Sequence, residues 1–341
     1  MNIKQSTLAA AVTAALALGV TSQAHAYLYG AANLSINDFR IAFTPSQPTV
    51  SRFDFTLTNT ATLNGVSAIN TATCGGTPGP GNNCTSALGS MDAAATNAPG
   101  STGVIRTENA GYPGGEFTMY GPTVGGNWSN SDSLIAQAEL VQLGQPTITR
   151  NIAEARLAAG GTAASTSKIE SVTGFTLNFT LESATTGLSL SFLADPELFA
   201  AISGQSPGTY SASASLSATF TLRNDNNPAI FASWAPRGTR ANDCIALGLT
   251  CTETADTQDL NTNVGVTTNN TSSSSSYDPN VLNLTAFGIN ISGLTAGNYT
   301  LTLAESKSTR LSSSVPEPGA LALPGIGLVG MGFSSRRRKS V

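Results

Sequence analysis

Between Phe39 and Leu303 the chain is organised by alternation. Phe39, Ile41 and Phe43 form one short apolar row, and Phe53, Phe55 and Leu57 another, each with polar residues between. The same period of two runs through Phe175, Leu177, Phe179 and Leu181, then Leu188, Leu190 and Phe192. The longest row is Tyr210, Ala212, Ala214, Leu216, Ala218, Phe220 and Leu222, with Ser or Thr at nearly every intervening position. Phe287, Ile289 and Ile291 precede a turn through 293–298, and Tyr299, Leu301 and Leu303 follow it. A strand sends alternate side chains to opposite faces, so each row predicts a strand with one dry and one hydroxyl-rich face. Gly, Asn, Asp and Pro stand between the rows, as turns require. Helical spacing is sparse. Leu134–Leu143 predicts one short helix, capped by Asp132 or Ser133, and Asn151–Ala159 fits helix or strand. Consecutive strands without intervening helices predict an all-β fold: an antiparallel β-sandwich or jelly-roll-like ectodomain with at most one or two short helices.

Two stretches depart from the pattern. Residues 60–126 are rich in Gly, Pro, Ala and Asn and predict a loop-rich region or insertion; 267–276, with five consecutive serines, predicts a flexible connector. The four cysteines are Cys74, Cys84, Cys244 and Cys251. In an exported chain an even count favours disulfides, and three pairings are open. Short spacing favours Cys74–Cys84 and Cys244–Cys251. A metal site is the rival, with no CxxC pair to support it.

The ends carry addresses. Residues 1–26 have Lys4, the apolar run Leu8–Val20 and Ala24-His25-Ala26, the pattern of a secretory signal peptide, which places the start of the mature chain at Tyr27. Near the C-terminus Val315-Pro316-Glu317-Pro318 is followed by the uncharged stretch 319–333 and then by Arg336-Arg337-Arg338-Lys339. As a helix, 319–333 would span about 22 Å, short of the roughly 30 Å hydrocarbon core of a membrane. It reads as a short transmembrane segment whose basic flank stays cytoplasmic.

The tail 315–341 closely resembles the PEP-CTERM sorting signal of Gram-negative bacteria that make exopolysaccharide. The sorting residues under that resemblance are Val315, Pro316, Glu317, Pro318, Arg336, Arg337 and Arg338. It implies export by the Sec machinery, transient insertion in the inner membrane, recognition by exosortase, and delivery of the ectodomain to the outer envelope or extracellular matrix. Exopolysaccharide is the partner that the resemblance suggests.

Charge changes the picture of the ectodomain, 27–314, where eleven basic groups stand against nineteen acidic ones. An acidic surface excludes nucleic acid as a partner. The one histidine, His25, lies in the signal segment, which takes the commonest general base and zinc ligand from the mature chain. Gly204-Gln205-Ser206-Pro207-Gly208 matches the G-x-S-x-G elbow in letters. However, Pro207 has no N–H to donate to an oxyanion and no histidine activates Ser206. The glycines 325, 327 and 330 match a dinucleotide fingerprint without its strand–helix setting. No catalytic residue, metal ligand or cofactor is therefore assigned. The expectation is a non-enzymatic surface or matrix protein for exopolysaccharide association, biofilm or cell aggregation. A carbohydrate-binding or calcium-dependent adhesive module is the first alternative, marked by exposed Trp128 or Trp234 beside Asp225 or Asp256. A secreted hydrolase using carboxylates such as Glu253, Asp256 and Asp259 is the second.

Overall fold

In the 210–222 row every expected inward residue is buried, and Ser217 between them is exposed. The computed structural model describes residues 27–45, 48–77, 91–111, 116–136, 147–158, 160–170, 175–182, 186–204, 208–239, 243–269, 271–278 and 283–314. Among these there are strands and no helix. One sheet has eight strands in the order β13 (Thr250–Asp256), β16 (Thr285–Leu294), β9 (Thr186–Ser203), β1 (Tyr27–Thr44), β6 (Thr147–Leu157), β5 (Trp128–Ala136) and β4 (Met91–Asn97); β15 (Ser273–Tyr277) also pairs with β9. The other has nine, in the order β12 (Cys244–Leu247), β11 (Phe231–Trp234), β10 (Thr209–Asn224), β17 (Gly297–Ser314), β7 (Gly161–Glu170), β2 (Thr49–Leu63) and β3 (Val66–Gly76). Here β14 (Asn263–Thr268) joins β10, and β8 (Phe175–Leu181) continues the line of β7 between β17 and β2.

The two sheets face each other across one core. Phe39, Phe43, Leu190 and Phe192 come from the first sheet, and Phe53, Phe55, Phe179, Phe220 and Tyr299 from the second. The result is the antiparallel β-sandwich that the alternation predicts. In β1 the inward set changes parity, from Leu28, Ala32, Leu34 and Ile36 to Phe39, Ile41 and Phe43. A bulge between Ile36 and Phe39, with Asp38 in the left-handed region (φ 52°), makes the switch. Pro196 lies within β9 between the stretch paired to β15 and that paired to β16. A residue with no N–H is tolerated there, because the ladder on that side is already interrupted.

Three expectations are corrected, and the alternative left open at 151–159 is decided as strand. The helix over Leu134–Leu143 is absent where it is described: Leu134, Ile135 and Ala136 end β5, and 137–143 lie outside the described residues. Leu134 packs outward against Phe117 and Ile135 inward to the core, so two buried faces mimic helical spacing. Asn151–Ala159 is strand through Leu157, again buried on both faces. The 60–126 region contains the end of β2 and all of β3 and β4, and 267–276 contributes to β14 and β15. Serines of β15 pair with β9 through the backbone, which needs no apolar side chain.

Cys244 and Cys251 form a disulfide that ties β12, the edge of one sheet, to β13, the edge of the other. Cys74 is also disulfide-bonded, while Cys84 lies outside the described residues. The signal segment 1–26, residues 205–207 of the elbow-like sequence and the whole tail 315–341, with its expected transmembrane segment, lie outside them as well.

Candidate functional site

Over β5, β6 and the first half of β1 the outer face of the eight-stranded sheet is not open to solvent. The described parts of 98–126 cross it as a strap, seating Val104, Met119, Tyr120 and Val124 around Tyr29, Ala31 and Trp128. Strand alternation puts Trp128, Asn130, Asp132 and Leu134 of β5 and Ile152, Glu154 and Arg156 of β6 on this outer side. Glu154, fully buried, is the hub. Its Oε2 accepts from Arg106 Nη2 at 2.9 Å. Its Oε1 accepts from the Tyr29 hydroxyl, from Tyr120 N at 2.8 Å and from Gly121 N at 3.1 Å. Arg106 also donates to Asn130 Oδ1 at 3.0 Å and to the Thr118 carbonyl at 2.9 Å, and lies 4.7 Å over the Tyr120 ring. Asn97 holds both the N–H and the C=O of Arg106. Further along, Arg156 donates to the carbonyls of Pro122 at 2.9 Å and Gly126 at 2.6 Å. Burial pushes the Glu154 carboxyl and the Tyr29 hydroxyl up, the former opposed by Arg106.

Three groups of carboxylates assemble in the molecule, two at this frame and one, of Asp243, Glu253 and Asp256, by β13 at the opposite edge of the sheet. Asp92, Glu108 and Asp132 bring oxygens within 4.8 Å of one another, as do Asp243, Glu253 and Asp256. Glu116 of the strap meets Asp195 and Glu197 of β9. The first two groups hold the residues that could bind a hard cation such as Ca²⁺. Much of their capacity already serves the chain. Asp256 accepts from the N–H groups of Arg237 and Gly238, and Glu253 Oε1 from Trp234 Nε1 at 2.7 Å and Asp243 N at 3.0 Å. Asn109 donates to both Asp132 and Asp92.

Burial, reinforced by the Glu108 charge, raises Asp132 to about 7, and burial with the charges of Asp195 and Glu197 raises Glu116 to about 8. Both folded-state values lie above those of the unfolded chain, so the native state binds more protons between about pH 4 and 8. Stability from these groups is therefore fully present at the acidic end of that window and lost as pH rises through it. The melting temperature of the purified chain is expected to fall by several degrees from pH 5.5 to pH 8. An unchanged or rising value, read by circular dichroism in one buffer series, would contradict the protonated assignment of Asp132 and Glu116.

Of the residues singled out in the sequence, Glu253 and Asp256 do come together, joined by Asp243. Asp259 instead caps its own turn by accepting from Asn261 N at 2.7 Å, and Asp225 accepts from the Thr300 hydroxyl at 2.7 Å on the surface. Trp128 and Trp234 are 0% and 1% exposed, so neither offers a face to a sugar ring. The sequence reading missed Asp92, Glu108, Asp132, Arg106 and Glu154. One local signal was present: Arg150, Ile152, Glu154 and Arg156 share a parity, placing charges on a strand face beside the apolar Ala153, Ala155 and Leu157.

The described residues carry no further assignment from known proteins, but the tail does. A family model described as the PEP-CTERM protein-sorting motif matches residues 314–339. No curated protein and no solved structure matches the chain. The chain thus bears a C-terminal protein-sorting signal of the PEP-CTERM type, and β17 ends at Ser314, where that signal begins.

Proposed function

We propose that this is a non-enzymatic surface or extracellular-matrix protein: Sec exports it, exosortase sorts it from a transient inner-membrane insertion, and its β-sandwich associates with exopolysaccharide in biofilm or cell aggregates. The observation that carries the reading is the sorting motif at 314–339, set directly behind the last strand of the sandwich. A structural role is supported by the way the acidic groups are used. Glu154, Asp256 and Glu253 accept from N–H groups of their own chain, which fits carboxylates that hold loops in place. The burial of both tryptophans counts against the version of the adhesive-module alternative that rests on aromatic platforms.

Mass spectrometry of protein from the matrix and outer-envelope fractions is expected to miss 319–341. In a host lacking exosortase, the same chain should keep its tail and remain with the inner membrane. Recovery of the intact Arg336–Arg338 peptide from most mature molecules would instead make the tail a plain anchor. The purified ectodomain should also co-sediment with the host's own exopolysaccharide, and failure to do so would remove the matrix association.

A further inference from the structure

The parity that makes β17 a core strand also drives a charge into the core. Tyr299, Leu301 and Leu303 point inward, and so do the next members of the row, Glu305, Lys307 and Thr309, all 0–1% exposed. Lys307 Nζ lies 2.7 Å from Glu305 Oε2, its one hydrogen bond among the described residues. From β6 in the opposite sheet, Asn151, 0% exposed, points its Nδ2 at the same Oε2 at 2.8 Å. The Thr149 hydroxyl steadies Oε1 at 3.3 Å. An amine, a carboxamide and a shared carboxyl are thus held together where water does not reach.

A lone ion pair in this place is a poor stabiliser, because two charges lose their hydration for one contact. Burial pushes the Lys307 ammonium down, opposed by Glu305, and so favours the neutral amine. A desolvated neutral lysine is a nucleophile, and Asn151 Nδ2 sits within two hydrogen-bond lengths of it. Fixing the reactants in this way replaces a bimolecular encounter by an intramolecular one.

We propose that the side chains of Lys307 and Asn151 are joined by an amide bond across the sandwich, with Glu305 as the proton carrier. Lys307 Nζ passes a proton to Glu305, and its freed lone pair attacks Asn151 Cγ. The tetrahedral centre collapses as the Cγ–Nδ2 bond breaks and Glu305 returns the proton to Nδ2. The second Nζ proton follows the same route, so that ammonium departs, an Nζ–Cγ amide remains and Glu305 ends as a carboxylate. Nothing is oxidised or reduced. The bond would tie β17, the strand that leads into the sorting signal, to β6 in the other sheet. Tension applied at the C-terminal end of β17 would then reach both sheets through a covalent link.

The test is independent of how the chain is sorted. Full-length chain is purified, reduced, digested with trypsin and mapped by mass spectrometry. The expected product is a branched species joining Asn151–Arg156 to the segment that carries Lys307, lighter by one ammonia than its two parts and uncut after Lys307. A free Asn151–Arg156 peptide with its amide intact, together with cleavage after Lys307, would overturn the proposal. Glu305→Gln keeps the size of the side chain but cannot carry the proton, so a folded variant should yield the two peptides unlinked. A link that persists in that variant would overturn the role given to Glu305.

Discussion

Arg106→Ala is expected to destabilise the chain by about 3–5 kcal/mol, the usual cost of removing one partner from a buried pair. Both side chains of the Arg106–Glu154 pair have no exposed surface. Without the guanidinium, Glu154 keeps the Tyr29 hydroxyl and two N–H groups as donors, but burial is then opposed by those hydrogen bonds alone, with no neighbouring positive charge, and favours the protonated form. A protonated Glu154 competes with those donors for the same oxygens. The variant also releases the carbonyl of Thr118 and the side chain of Asn130. The loss should be local at first: the strap detaches while the inter-sheet core, which takes only Ala98 from it, remains folded. Limited proteolysis should therefore cut within 98–126 before the transition seen by denaturant. Glu154→Gln retains an acceptor for Tyr120 and Gly121 and should lose less. A cost below about 1 kcal/mol for Arg106→Ala, the level of an exposed ion pair, would mean that the strap is not held by this contact.

The same strap explains which parts of the fold were legible. Strands with one wet face, such as β8 and β10, declared themselves by alternation. β5, β6 and the first half of β1 did not, since the strap covers their outer side and both faces are buried. β5 hides further because its inward positions are Ser129, Ser131 and Ser133. The hydroxyls of Ser129 and Ser131 donate across the sandwich to the carbonyls of Ala164 at 2.6 Å and Thr60 at 3.2 Å. Small polar residues there permit a close approach of the sheets, yet in sequence they resemble a turn. The carboxylate groups were illegible for another reason. Asp92, Glu108 and Asp132 come from β4, the strap and β5, and non-repetitive backbone brings them together. Glu305 and Lys307 keep the parity of the Tyr299–Leu303 row, but the apolar pattern stops at Leu303, and charged residues in a strand do not announce an inward face. The sorting signal is legible for the opposite reason: it is read as a linear motif.

Phe220→Ala should be among the most damaging single substitutions in the inter-sheet core, at roughly 3–5 kcal/mol. The ring comes from β10 and stacks on Phe39 of β1 at 5.8 Å, while lying 5.3 Å from Phe192 of β9 and 5.3 Å from Trp234 of β11. It therefore touches both sheets and links two neighbours that belong to different layers. Truncation removes buried aromatic area and also leaves a cavity that strands fixed by their ladders can close only in part. Phe192 would in addition lose one of its ring partners, though its stacking on Phe287 at 5.1 Å survives. Thr221→Ala next door turns on the opposite face of the same strand and should cost well under 1 kcal/mol, as a partly exposed change away from the core does. Urea denaturation of both variants beside the parent chain measures the contrast directly. Equal losses would mean that β10 does not separate a dry face from a wet one, and the inward row at 210–222 on which the sandwich rests would fail with it.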